Sequence, residues 1–492
     1  MNMIEQGGFE NQDRDPGQKL LDYFAPMVVV NDVIGAFPYG MTSEGMQGDA
    51  ALAARALMMP VKAAYIPSEY ENIMAGQHEY LASIGIGPKE VRFVHLAEGE
   101  TLFEAAMRDI EVRGEKSEQS PLTLYGQSKR IQKTFEDRAQ TILTEATDSL
   151  SVSATVRQLK SEQGLATLRT SGTTEGVANN KLFLRTILAK RLGDDGKAPS
   201  SLNVDFVPVT RGQDINDPMW ESSVETLLAK ENKHSVLVKP THWDSGDLIR
   251  FCSSLQEVKS YIEEVRQKYR DEYPDIQPDF VVEEDLSSER DTELSAQFLV
   301  DKQGRATFLR STKNLMESNR AKSVLRWRGN IVGGTPEDSM NTAFTKDIPR
   351  LTQIAEYYAK LGYRGYLGFD LMRLKSGDIK VLEMNGRVTA ATGPVLILEQ
   401  LTKRQGTPEM VVAYIQQVSP SLTANIKSFQ ELKNALGDLV YDNSKSAGVI
   451  PALVTKLPSQ FGAIIVAKDI QEAREMQQRL YNRLGVQDTL EL

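Results

Sequence analysis

Gly368-Phe369-Asp370-Leu371-Met372-Arg373-Leu374-Lys375, then Ser376-Gly377, then Asp378-Ile379-Lys380-Val381-Leu382-Glu383-Met384-Asn385 reads as a β-hairpin. Two apolar-rich arms flank a short Ser-Gly connection, which suits a two-residue loop. In that register Lys375 faces Asp378, Leu374 faces Ile379, Met372 faces Val381 and Asp370 faces Glu383. Side chains alternate with period two, so Asn385 shares the face of Glu383 and Asp370.

Two carboxylates opposed across a hairpin repel one another. In a shared buried site one of them titrates high unless a cation lies between them. Two carboxylates and an amide oxygen are hard ligands of the kind Mg²⁺ accepts. The same residues on a solvent-facing hairpin form an ordinary polar strip, and a one-residue slip turns every side chain to the other face. Arg387 and Thr389 continue the parity beyond Asn385. A forked guanidinium there suits a phosphate or carboxylate, and a plain surface arginine fits equally. The small residues Thr389-Ala390-Ala391-Thr392-Gly393-Pro394 leave room for a substrate near the backbone.

Upstream, Ser235-Val236-Leu237-Val238-Lys239-Pro240 is a strand ending at a lysine, followed by the polar loop Thr241–Asp247. Leu255, Val258, Ile262, Val265 and Tyr269 have helical spacing. Phe280-Val281-Val282 is a strand running into Glu283-Glu284-Asp285, and a second hairpin runs from Glu293 through Gln303-Gly304 to Arg310. Asn179-Asn180-Lys181 opens a helical pattern carried by Leu184, Ile187, Leu188 and Leu192 and stopped at Gly193. Thr312 to Gly334 is basic, with Lys313, Arg320, Lys322, Arg326 and Arg328, and reads as a loop-borne or solvated segment.

The first 150 residues alternate strand-like and helix-like stretches, beginning with the strand Met27-Val28-Val29-Val30, which argues for a parallel sheet under helices. The polar run Thr170–Gly176 marks a boundary. After residue 400 come short strands and a helix bearing Ile470, Ala473, Met476, Leu480 and Leu484, ended by Gly485.

At 492 residues the chain has room for about three domains. Apolar and charged shares of 40 % and 25 % exclude a collagen, a disordered chain and a coiled-coil rod. The net charge of −10 argues against a nucleic-acid partner. The single cysteine, Cys252, excludes an intrachain disulfide and a thiolate cluster, so a reducing, cytoplasmic setting is expected. The acidic, Gln-rich start MNMIEQGGFENQDRDPGQ has no apolar region of a signal peptide. No apolar run nears the ~20 residues of a bilayer span, so no membrane partner is expected. P-loop, dinucleotide-binding, serine-hydrolase and zinc-protease motifs are absent.

The hairpin, with its G-x-D, the thirteen-residue step from Asp370 to Glu383 and the E-M-N-G-R ending, resembles the C-terminal half of an ATP-grasp enzyme. Other pieces follow in order: Asn180-Lys181 is similar to the helix start carrying one phosphate lysine. V-L-V-K-P resembles the strand carrying the second, Lys239. V-V-E-E-D looks like the adenine hinge, with Glu293 as the acidic residue beyond it. The likeness spans residues 176–400, and the N-R-V-T-A-A-T-G-P ending and C-terminal module look most like the peptide ligases of the pheganomycin type. The loop after Lys239 departs from the family in having only Gly246.

The resemblance implies an N-terminal Rossmann-like α/β domain over 1–175, a two-lobed α+β ATP-grasp domain over 176–400 and a small C-terminal α/β module over 401–492. It implies ATP and Mg²⁺, or Mn²⁺ in its place, with Asp370, Glu383 and Asn385 as metal ligands. Lys181, Lys239, Glu283, Glu284 and Glu293 belong to the nucleotide site. Arg387, Arg326 and Arg328 are the candidates for contact with an acyl phosphate. The implied activity joins a small-molecule carboxylate to an amine through an acyl phosphate, releasing ADP and phosphate. A phosphotransferase or a non-catalytic nucleotide-binding protein is the alternative on the same fold, and a homodimer is the default assembly.

Overall fold

The computed structural model describes residues 15–32, 51–97, 102–114, 123–128, 180–190 and, from 201 on, all but 211, 231–234, 242–247, 273–277, 302, 320–323, 334–344, 387, 406–409, 422–424, 488–489 and 491. The boundary at Thr170–Gly176, the loop His242–Asp247 and Arg387 therefore lie outside the described residues.

Near the N-terminus, β1 (Met27–Asp32), β2 (Ala63–Pro67), β3 (Glu90–Val94) and β4 (Thr123–Ser128) form a parallel sheet in the order β3-β2-β1-β4. Parallel strands need crossover connections, and the helix Leu102–Val112 packs on β1, β2 and β3.

A second sheet holds β5 (Phe206–Val209), β6 (Val236–Pro240), β7 (Arg250–Cys252) and β8 (Phe280–Glu284) in the antiparallel order β5-β8-β6-β7. Helices Pro218–Leu228 and Leu255–Glu272 cover it. Val258, Ile262 and Val265 are buried in its core, as their spacing anticipates. Cys252 is buried there too, and burial pushes its thiol up to about 11, so it is an inert core residue.

The third sheet has eight antiparallel strands. They are β9 (Arg290–Val300), β10 (Ala306–Asn319), β11 (Val324–Gly333), β12 (Gly365–Leu374), β13 (Ile379–Asn385), β14 (Val411–Val418), β15 (Gly448–Ala452) and β16 (Phe461–Ala467), in the order β13-β12-β9-β10-β11-β14-β16-β15. The basic segment read as loop-borne is thus two long strands, β10 and β11, paired from Lys313↔Ile331 to Asn319↔Val324. Their Lys and Arg residues interrupt the apolar pattern without ending the strands, because ladder hydrogen bonds do not depend on side chains. The tail after 401 is less separate than its composition suggests. Its β14 pairs with β11, and its buried residues share one core with the N-terminal sheet. Its last helix, Ile470–Leu484, is capped by Asp469 and stopped by Gly485 at φ 62°.

The hairpin register differs from expectation in one respect. Asp370 pairs with Glu383 and Gly368 with Asn385, but a bulge follows Asp370, so Met372 faces Lys380 and Arg373 faces Ile379. The connection is longer than two residues: Gly377, at φ 87°, donates its N–H to Leu374 O, and Leu374 N–H donates to Asp378 O. The bulge absorbs the extra residue and restores the expected pairing where the carboxylates lie. Among the described residues no helix is long and apolar enough to cross a membrane.

Candidate functional site

The ladder brings Asp370, Glu383 and Asn385 together. The Asn385 amide donates to Asp370 Oδ2 at 2.9 Å and to Glu383 Oε1 at 3.4 Å. Burial, reinforced by the neighbouring Glu383 charge, pushes the Asp370 carboxyl up to about 7. Among the described residues no three His, Cys, Asp or Glu side chains gather as a metal cluster. The donor set here is two carboxylates and one amide. Rotation of the Asn385 amide, whose orientation is set by its network, presents an oxygen in place of the nitrogen. Opposed carboxylates short of positive charge, with an amide oxygen within reach, fit a hard divalent cation.

Lys181 adds one cation, its Nζ lying 3.0 Å from Glu383 Oε2. It opens the helix Lys181–Lys190, where Asn180 Oδ1 caps the Phe183 N–H at 2.8 Å. The Lys181 N–H donates to Thr241 O at 3.2 Å, tying the helix start to the end of β6.

Lys239, on β6, meets Glu283 Oε2 at 2.6 Å. The other Glu283 oxygen accepts from Arg185 Nε at 2.7 Å. Glu283 therefore faces inward as the centre of a buried ion triad. Glu284 pairs with Lys230 at 2.8 Å, and its N–H donates to Asp205 O at 3.0 Å. The hinge role implied for this segment, backbone hydrogen bonds to adenine, cannot use the Glu284 N–H, because the sheet already occupies it. Glu293, on β9, pairs with Arg290 at 2.8 Å.

Arg328 lies on β11, three ladders from β12, and pairs with Glu317 at 2.8 Å. Arg326 is opposite Glu317 in the β10–β11 ladder. Thr392-Gly393-Pro394, expected in a flexible loop, begins the helix Thr392–Gln405. A Cβ on Gly393 would lie 2.9 Å from Met58 Cε, so that glycine accommodates a core methionine.

Sequence reading missed Arg185. Fully buried, it also donates to Val381 O at 2.6 Å and Leu382 O at 2.7 Å, clamping its helix to β8 and β13. The available signal was its position four residues after Lys181, on the same helix face and beside the apolar stripe. Ser295, Gln297 and Tyr366, buried beside Asp370, were missed because nothing local marks them.

No family model and no curated protein sequence matches this chain. Solved structures do. The biotin carboxylase domain of Hydrogenobacter thermophilus 2-oxoglutarate carboxylase, a dimer in complex with MgADP, ADP and bicarbonate, has a TM-score of 0.53 at 12 % identity. The match covers 93 % of this chain and 90 % of that one. The biotin carboxylase–β-γ-ATP complex from Campylobacter jejuni has a TM-score of 0.54 at 9 % identity, covering 93 % and 91 %. The chain has the mixed α/β fold of these biotin carboxylases.

Proposed function

We propose that the protein is an ATP-dependent ligase that activates a small-molecule carboxylate and joins it to an amine. The observation that carries this reading is the meeting of Lys181 with the Asp370/Glu383/Asn385 cluster, a cation set against opposed carboxylates. ADP and MgADP in the similar structures support ATP and Mg²⁺ as the partners of that cluster. Asp370, Glu383 and Asn385 hold the divalent cation, which offsets β- and γ-phosphate charge when bound. Lys181 and Lys239 draw the phosphates as compact cations, and the end of β8, with Glu283, Glu284 and then Glu293, borders the nucleotide.

Phosphoryl transfer is largely positioning and charge neutralisation. The substrate carboxylate attacks the γ-phosphorus and displaces ADP, giving an acyl phosphate. The amine then attacks the acyl carbon, phosphate leaves, and an amide forms with loss of one amine proton. Arg387 is first choice to neutralise the acyl phosphate, with Arg328 and Arg326 behind it. A peptide ligase of the pheganomycin type is the finer version, supported by the resemblance of the N-R-V-T-A-A-T-G-P ending and the C-terminal module.

A screen of amino acids, small carboxylic acids and bicarbonate, each with and without amines, tests the reading through phosphate release. A ligase releases phosphate and ADP only when acid and amine are both present, and Glu383→Gln abolishes that release. Phosphate transfer to a hydroxyl identifies a phosphotransferase, and Glu383→Gln with wild-type turnover rejects the metal assignment.

A further inference from the structure

The sheet face that carries Asp370 continues as a polar strip across four further strands. Ser295 on β9 lies opposite Asp370, and Thr312 on β10 lies opposite Ser295. The Asn330 amide on β11 donates to Thr312 Oγ1 at 3.2 Å and to Asn314 Oδ1 at 2.7 Å. Tyr414 on β14 lies opposite Asn330. Gln416 is two residues along that strand and therefore on the same face. Its Oε1 accepts from Arg55 Nη2 at 2.8 Å. Arg55 stands outside the sheet, on the 3₁₀ segment Ala51–Met58. Trp327, partly buried, sets its ring 6.0 Å from that of Tyr414 at the edge of the strip.

Three polar atoms gathered here lack partners. Asn330 and Tyr414 are wholly buried, yet Asn330 Oδ1, Tyr414 Oη and Arg55 Nε have no hydrogen-bond partner among the described residues. Buried polar groups left unpaired are costly, so three on one face point to a group that completes them. The guanidinium Nε–H and the phenol O–H donate, and together they suit a carboxylate. Asn330 Oδ1 accepts, which suits an N–H or O–H next to that carboxylate.

Distance decides which carboxylate this is. The order β12-β9-β10-β11-β14 puts four ladder steps between Asp370 and Tyr414. At about 4.8 Å per step that is roughly 19 Å. A carboxylate attacking a γ-phosphate beside Asp370 does not also reach Arg55. The far site therefore takes a carboxylate that does not react.

We propose that Arg55, Tyr414 and Asn330 form an anchor for a non-reacting carboxylate of the substrate. The inference rests on the ligase reading above. It narrows the substrate to a bifunctional molecule, one end reacting at the Asp370/Glu383/Asn385 cluster and the other carrying the anion. That anion belongs either to a dicarboxylic acid or to an amine that also bears a carboxylate, and the chemistry at Arg55 is the same. The anchor holds ground state and transition state alike, so it acts on KM rather than on kcat.

Phosphate release by the full chain with two paired substrate panels tests this. One panel sets dicarboxylic acids against their mono-amides, with simple amines as acceptors. The other sets amino acids and short peptides against their C-terminal amides as acceptors, with simple acids. In one panel, blocking the second carboxylate raises KM about tenfold or more, the size of one charge-assisted contact, and leaves kcat within about threefold. The panel that responds identifies the source of the anion. Arg55→Gln raises KM for the free carboxylates to the blocked value and leaves KM for the blocked ones unchanged. A purely structural arginine would change both members of each pair alike. Turnover with equal KM for free and blocked members in both panels, or an unaltered preference in Arg55→Gln, overturns the anchor and leaves the ligase reading standing. Absence of phosphate release that depends on both acid and amine overturns the ligase reading and the anchor with it.

Discussion

Arg185 Nε and Glu283 Oε1 lie 2.7 Å apart, the arginine wholly buried and the glutamate 2 % exposed. A buried pair adds little over a well-packed apolar pair, but removing one partner strands the other charge. Arg185→Met is expected to cost about 3–5 kcal/mol, partly relieved by Lys239, which also pairs with Glu283. Adding Glu283→Gln should recover part of the loss. Urea unfolding of the two single variants and the double variant checks this, and strictly additive costs would deny the coupling.

The same pair sets an acid limit. Burial alone would raise the Glu283 carboxyl, but Arg185 and Lys239 overcome it and hold the group at about 2, against an ordinary 4.5. The folded value lies below the unfolded one. Its contribution is therefore present above about pH 4.5 and is lost as pH falls toward 2, amounting to about 3 kcal/mol. Chemical unfolding from pH 5 to pH 2 should show this component in the wild type and not in Glu283→Gln.

Asp370 behaves in the opposite sense. Burial and then Glu383 raise its carboxyl from 3.8 to about 7. Metal-free stability from this group is full below about pH 3.8 and is lost as pH rises through 7. Magnesium should therefore stabilise the protein more at pH 8 than at pH 5. At a hundredfold excess over its Kd, mass action adds about 2.7 kcal/mol. Asp370→Asn should raise metal-free stability at pH 8 and abolish the response, as thermal unfolding with magnesium alone would read.

Lys239→Ala removes a charged donor to phosphate, an interaction of about 1.5–3 kcal/mol. Affinity for ATP by calorimetry should drop by roughly ten- to a hundredfold. An unchanged affinity would place the lysine in the Glu283 triad alone.

Gly333 ends β11 where the tail joins the central sheet. Its φ is 86°, and an added Cβ would fall 2.0 Å from Met410 O, a backbone atom with no freedom to move aside. Gly333→Ala should cost about 2–4 kcal/mol. It should unfold the N-terminal sheet and the tail together, because they share one core. Separate unfolding of the tail in a proteolysis time course would contradict this.

The sequence by itself determined the local elements and the main pairing at the site. Alternation along Gly368–Asn385 put Asp370 opposite Glu383, because a pleated strand allows side chains only two faces. The 3–4 spacings of Leu255–Val265 and Ile470–Leu484 fixed two helices, because one apolar stripe must be buried. The bulge after Asp370 was illegible, since an extra residue leaves the alternating pattern looking intact. Only the tertiary structure decided that the tail extends the central sheet, that Arg185 and Lys239 both pair with Glu283, and that Ser295, Gln297 and Tyr366 form a buried hydrogen-bonded group. Those contacts join residues up to about a hundred positions apart. Buried polar groups choose partners by what lies within hydrogen-bond reach after folding, which no local pattern records.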